Sequence, residues 1–442
     1  MNFDVIDIIY FVVAGVWTIF VIGSAHLFVK NRNYPSIRYR SAPLFCVNAL
    51  TNLLVTVNIL LSGPLSSKYS CFAYFWILYI FLPLWIITTL VKHIRLIILY
   101  RFGVEKILAY SSRYPSSDKD VPKEDNSYLM ATTKVLNRSV FPKGSWLRRL
   151  LTTKAHIIGI SVWMIPHIIL TIILHFVLKQ NEKDHFPKVT VDRCINNWYW
   201  SPILGIFILY TLGILPIILF YLRGIKDAYD MRLEVLSDIC VGAMGTLACI
   251  LSTELNKDQQ FLRIFPNQMW TAVMCMGMYW ISVFIPFREK RRFLAADSTK
   301  NGARPLFEDL LNDPSLFQEF HAFSVRDFSV ENPLFYRRVS EWTQDMKAIE
   351  GKSYSSAMYD RTYQEAHEIY RLFISSNADF EINITAETSQ QISCDISKEP
   401  IEISLFDQAL AEVLDMMFQQ TFPRFLRYKG WLNEYSNRPE SV

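Results

Sequence analysis

The chain has 442 residues, 51 % of them hydrophobic and 19 % charged, with 31 Phe, 22 Tyr and 11 Trp. That is too apolar for an ordinary soluble protein of this size, and a net charge of +4 is too small to suggest a nucleic-acid partner. Seven cysteines are too few for a disulfide-rich secreted scaffold.

The apolar excess lies before residue 288, in long runs that read as membrane spans. Seven are expected, at 8–29, 42–62, 71–91, 156–178, 199–222, 233–255 and 269–287. At 1.5 Å of rise per residue, about 20 residues cross roughly 30 Å of hydrocarbon. Pro83, Pro166, Pro216 and Pro286 fall inside these runs and predict kinks. The second run carries Asn48, Asn52 and Asn58, which must find partners because hydrocarbon offers none. His167 and Asp238 raise the same demand. Hydrogen bonds between helices answer it, and a ligand site is the alternative. The N-terminal MNFDVIDIIY lacks the positive start of a signal peptide, so the first span is expected to be retained.

Lys and Arg set the orientation. With the N-terminus outside, the inner segments hold 24 basic residues and the outer segments 7. The long inner loop weighs little in that count, and Arg288-Glu-Lys-Arg-Arg292 after the last span is the strongest vote. Cys71 and Cys194 then both face outward and can be bridged, or remain two thiols near the surface. Asn137-Arg-Ser139 and Asn383-Ile-Thr385 become cytosolic and are expected to stay unglycosylated. The inner loop 101–154 has a polar, aperiodic centre that reads first as a solvated connector, with phosphorylation of Ser111, Ser112, Ser116 and Ser117 as the alternative.

Residues 294–304 form a polar joint, and from Pro305 the chain changes to amphipathic segments separated by turn signals. Asp313-Pro314 predicts a capped helix start. Ser329 is a candidate cap for the next helix, with Glu331 in its first turn. Tyr363, Ala366, Tyr370 and Phe373 make a helical stripe, as do Phe406, Leu410, Val413 and Met417. Thr421-Phe422-Pro423-Arg424 predicts a break after the latter. No strand alternation persists. The fold class is therefore all-α: a seven-helix transmembrane bundle over 1–293, a linker over 294–304, a helical domain over 305–430 and a tail over 431–442.

Enzyme signatures are missing. There is no Gly-rich phosphate loop, HExxH or GxSxG, and no His spacing suited to a metal. No cofactor is expected. Three separated phrases in the helical domain, FSVENPLFYRRVSEW, IYRLFISSNADFEINI and FDQALAEVLDMMFQQTFPRFLRY, resemble the regulator of G-protein signalling (RGS) domain in the family's order. The resemblance implies a partner, the GTP-bound α subunit of a heterotrimeric G protein (Gα). It implies acceleration of Gα's own hydrolysis without catalytic groups on this chain. A Gα already carries its arginine and water-orienting glutamine, so holding its switch loops suffices.

Carried over by position, Glu331 and Asn332 are expected to touch switch regions from one loop. Asn383 is expected to reach the catalytic glutamine, and Met416, Gln420, Thr421 and Arg424 to form the other wall. Gln420 stands where the family often has Asp, and Thr421 where it often has Ser. Asn332 and Arg424 have a competing role in bracing the domain. Seven spans followed by such a domain are similar in plan to receptor-like RGS proteins of plants and fungi. That plan implies a multi-pass plasma-membrane protein, a bilayer partner and room for an extracellular small-molecule ligand. The rhodopsin-like Asp-Arg-Tyr and NPxxY motifs are missing, since the third span ends LVKHIRLIILY. The rival readings are a receptor promoting nucleotide exchange, a scaffold that docks Gα without accelerating hydrolysis, and a transporter or channel with a regulatory tail.

Overall fold

The computed structural model describes residues 4–113, 149–181, 190–191, 200–223, 225, 227–255, 262, 264–297, 304–350, 356–376 and 378–431. Among them every extended regular element is helical, and an antiparallel bridge between Ser70 and Thr190 is the lone β feature. The chain divides into two compact units. The first takes Met1–Ile98, Ser145–Ile225 and Tyr229–Lys290, and the second takes Leu99–Gly144, Lys226–Ala228 and Arg291–Val442.

In the first unit, α1 is Val5–Lys30, α2 Pro35–Arg38, α3 Ala42–Ser62 and α4 Cys71–Arg113, whose last residues belong to the second unit. Next come α5 (Thr153–Asn181), α6 (Ser201–Ile208), α7 (Leu215–Leu222), α8 (Met231–Leu255) and α9 (Met269–Asp297), whose residues from Arg291 on belong to the second unit. Six helices, namely α1, α3, α4, α5, α8 and α9, are long and apolar enough to cross a membrane. The expected fifth run is helical too, but a π-helical turn over Leu209–Ile214 divides it. Pro216 sits second in the helix that follows that turn. A proline in a helix interior removes one N–H and crowds the carbonyl four residues back, and a widened turn relieves both.

The asparagines of α3 are buried, and the side-chain amide of each takes part in hydrogen bonds to groups outside α3. Asn48 Nδ2 donates to Thr88 Oγ1 at 2.9 Å and Thr89 Oγ1 at 3.0 Å. Asn52 Nδ2 donates to the Cys275 carbonyl at 2.8 Å, and Asn58 accepts from the Tyr69 hydroxyl. Around them α1, α3 and α9 pack through rings, with Phe28 stacked on Phe45 at 3.8 Å. Cys71 is disulfide-bonded. Cys194, its expected partner, lies outside the described residues, as do Asn137, Ser116 and Ser117.

The transporter reading expects paired ionisable groups, and few are evident in the runs themselves. The structure assembles them. Arg40 Nε meets Glu234 Oε2 at 2.7 Å. Lys92 Nζ lies 3.2 Å from both Glu234 Oε1 and Asp238 Oδ2. His93 Nε2 is 3.1 Å from the same Asp238 oxygen. Arg40, Lys92, His93, Glu234 and Asp238 are all buried. Lys92 and Arg40 read as loop charges in the sequence, and folding draws them in to neutralise two carboxylates.

The second unit holds α10 (Arg304–Asn312), α11 (Pro314–Arg326), α12 (Glu331–Glu350), α13 (Ser356–Ile369), α14 (Ala386–Asp395), α15 (Asp407–Met416) and α16 (Phe422–Lys429). Asp313 caps α11 as expected, its Oδ1 accepting from Ser315 N at 2.8 Å and Leu316 N at 3.2 Å. The core is aromatic: Trp342, Phe335, Phe373 and Phe406 are at most 2 % exposed. The Trp342 ring stands edge-on to Phe406 at 5.2 Å, and its Nε1–H donates to the Thr362 carbonyl at 3.0 Å. Both predicted stripes face this core, with Ala366, Phe373, Phe406, Val413 and Met417 fully buried.

Two expectations are corrected. Residues 101–113 are helical as the end of α4 instead of loop, because Gly103, Ile107 and Tyr110 form a stripe that packs into the second unit. The chain does not break at 421–424. A π turn over Met417–Thr421 leads from α15 straight into α16, with Pro423 at its second position.

Candidate functional site

Three segments of the second unit carry the residues singled out in the sequence. They are the turn 327–332 between α11 and α12, the loop 378–385 before α14, and the stretch 415–424 from α15 into α16. Two polar knots tie them together.

The first knot is centred on Asp327, which is fully buried. Its Oδ1 accepts from Arg424 Nε at 2.5 Å, and its Oδ2 accepts from Arg424 Nη2 at 2.8 Å. Thr421 Oγ1 donates to Oδ2 at 2.8 Å, and Ser329 Oγ donates to it at 2.9 Å. A two-pronged guanidinium–carboxylate pair with added hydroxyls repays much of the cost of burying both charges. Ser329, the candidate cap of α12, thus gives its hydroxyl to Asp327. The turn itself is tight. Phe328 has φ of +54°, a conformation that bulky residues adopt at a cost of roughly 1–3 kcal/mol. The backbone bonds Phe328 N to Val325 O and Ser329 N to Ser324 O hold it there.

The second knot is centred on Glu412 of α15. It accepts from Thr385 N at 2.7 Å and Thr385 Oγ1 at 3.0 Å, and from the Thr388 hydroxyl. Partial burial works to raise the Glu412 carboxyl, but the bonds from Thr388 and Thr385 outweigh it and hold the group below its ordinary value. Thr385 also caps α14, accepting from Thr388 N at 3.3 Å.

The sequence-predicted residues separate into two sets on this scaffold. Asn383 is exposed, its Nδ2 3.9 Å from the sulfur of half-buried Met416. Gln420 is half-buried and Glu331 partly exposed, with Glu331 Oε2 held at 3.1 Å by Lys106 Nζ. Asn332, Thr421 and Arg424 are buried, at 8 %, 2 % and 7 % exposure. The polar groups of Thr421 and Arg424 are committed to Asp327. Asp327, Glu412 and Lys106 were not singled out in the sequence. A signal existed for the first, since an arginine buried in a helical core requires a carboxylate opposite it. Glu412 and Lys106 carried none, because each looks like a solvated charge, on a helix and in a loop respectively, until its partner is brought near.

Among the described residues no cluster of His, Cys, Asp and Glu could hold a metal ion. The hydroxyls of the two knots are engaged as donors to the Asp327 and Glu412 carboxylates. The arrangement offers an exposed carboxamide on a braced loop, beside the thioether of Met416. Such a surface can hold another protein's backbone by hydrogen bonds.

The family model described as "Regulator of G protein signaling domain" matches residues 306–432. Regulator of G-protein signaling 8 of Macaca fascicularis is 28 % identical over 192 residues, 43 % of this chain and 89 % of that protein. Regulator of G-protein signaling 16 of Rattus norvegicus is 30 % identical over 126 residues, 28 % of this chain and 57 % of that protein. Regulator of G-protein signaling 10 of Homo sapiens is 28 % identical over 120 residues, 27 % of this chain and 59 % of that protein. The chain thus spans little more than half the length of the last two. Over residues 306–432 it carries a regulator of G protein signaling domain.

Proposed function

We propose that this domain binds the GTP-loaded form of a Gα subunit and accelerates GTP hydrolysis. On this reading the N-terminal helices hold it at a membrane. The observation that carries the reading is Asn383. Its carboxamide is exposed, while the loop bearing it is pinned to α15 through Thr385 and Glu412. A group meant to orient another protein's glutamine must be both accessible and fixed, because positioning is the whole of its contribution. Asn383 thus reaches the Gα active site, with Met416 beside it, and Gln420 further along the same stretch and Glu331 and Asn332 at the start of α12 add to the contact. Thr421 and Arg424 serve indirectly, by fixing the 327–332 turn through Asp327.

Membrane attachment suits this role. A Gα subunit at the same surface meets the domain at a raised effective concentration, with no new contact required. Seven crossings with the N-terminus outside place the domain in the cytosol. In this layout the protein switches signalling off in the manner of a receptor-like regulator.

Single-turnover GTP hydrolysis by a Gα subunit, with the full chain in lipid nanodiscs, tests the reading. Acceleration is expected. Asn383→Ala should reduce it by about tenfold or more, the equivalent of one lost hydrogen bond to a charge-bearing centre. Tight binding to the transition-state-mimic form without acceleration would favour a docking scaffold, for which Gln420 in place of a carboxylate is the motive. Neither binding nor acceleration with any Gα would sink both.

A further inference from the structure

The family match begins at residue 306, yet the second compact unit also takes in the end of α4. That segment meets the domain at the roots of the loops just described. Lys106 Nζ is 3.1 Å from Glu331 Oε2 and stands over the Phe102 ring at 4.9 Å from its centroid. Tyr110 is 6 % exposed within the domain's core, its ring edge-on to Phe380 at 5.9 Å. Phe380 lies three residues before Asn383. At Gly103 an added Cβ would sit 3.6 Å from Val325, two residues before Asp327. One helical face thus touches the bases of both loops and engages the carboxylate of Glu331.

We infer that the 99–113 segment is a built-in competitor of Gα, in which Lys106 occupies Glu331 and must release it before a Gα switch region can engage that carboxylate. This rests on the proposed function. The charges argue for competition over mere support. Tyr110 and Gly103 already anchor the helix by packing. The Lys106–Glu331 pair adds little anchorage, being partly exposed, but neutralises the one acidic group that the turn offers a partner. Lys106 therefore sets the affinity for Gα without entering the chemistry.

The test is a titration of Gα·GTP against the full chain in nanodiscs, comparing wild type with Lys106→Gln and Lys106→Arg. Lys106→Gln should lower the concentration giving half-maximal acceleration by about two- to fivefold, the scale of one partly exposed ion pair, and leave the saturating rate unchanged. Lys106→Arg keeps the pair and should behave as wild type, which a purely structural role for the lysine stem would also allow; the Gln variant separates the two. Acceleration by Lys106→Gln alone, with a silent wild type, would show the same competition in its extreme form. An accelerating wild type matched by Lys106→Gln, or a weaker half-saturation in that variant, overturns the competitor and leaves the proposed function standing. Silence of all three proteins, with no binding to the transition-state mimic, overturns the proposed function and the inference with it.

Discussion

Asp327 shows how a single buried group can govern a surface it never reaches. It is fully buried and receives Arg424, Thr421 and Ser329 together. Removing one member of such a pair strands the other charge, a loss of about 3–5 kcal/mol. Arg424→Ala is therefore expected to expose the 327–332 turn to amide exchange and to lose acceleration together with it. Hydrogen-exchange mass spectrometry on the full chain checks this. Arg424→Lys should recover only part of the loss, because an ammonium cannot span both carboxylate oxygens. Asn383→Ala makes the contrast, since it should lose acceleration with protection intact. Unchanged exchange in Arg424→Ala would refute the bracing role.

At the scale of elements, the loop before α14 is held from outside its own helix. Glu412 on α15 collects the Thr385 amide and hydroxyl and the Thr388 hydroxyl. Its carboxyl is held below the ordinary value in the folded state. The sign follows from proton binding. Above the unfolded value, near 4.5, both states are ionised and the stabilisation is fully present. As the pH falls through the lower folded value, the carboxylate is protonated and the stabilisation is lost. Thr385→Val should move the Glu412 carboxyl back up toward 4.5, as read by NMR titration of that side chain. It should also cost about 1 kcal/mol through the lost helix cap. An unmoved titration would show that Glu412 is not what pins the loop.

Among the described residues, the π-helical turns at Leu209–Ile214, Tyr370–Ile374 and Met417–Thr421 belong to the same scale. Two of them precede a proline that sits second in the next helix, Pro216 and Pro423. A proline in a helical stripe reads as a break when only local propensity is weighed. Here the packed helices on both sides make it cheaper to widen one turn than to end the helix. That choice keeps Thr421 and Arg424 on the same continuous rod as Met416 and Gln420.

At the scale of the whole molecule, the first unit gathers charges from distant parts of the chain into one buried cluster. Arg40, Lys92, His93, Glu234 and Asp238 are buried together, and mutual neutralisation is what makes that tolerable. Asp238→Leu and Lys92→Met should each lower the unfolding temperature in nanodiscs. The double variant should be less destabilised than the sum of the two, with a coupling of roughly 0.5–3 kcal/mol. Additive losses would show that the two charges do not depend on each other.

The helical class, the long apolar runs and the stripes facing the domain core were legible in the sequence. They follow from hydrophobic periodicity, which is local and repeats every few residues. The family phrases lie within single helices and loops, so Asn383, Met416 and Gln420 could be named before any coordinates. The partners could not. Asp327 and Arg424 are 97 residues apart, and Lys92 and Asp238 are 146 apart. Lys106 and Glu331 are 225 apart. A charge in a sequence looks the same whether solvent or another side chain will neutralise it. Only tertiary packing excludes the water, and so only the tertiary structure decided which charges are spent inside and which remain for a partner.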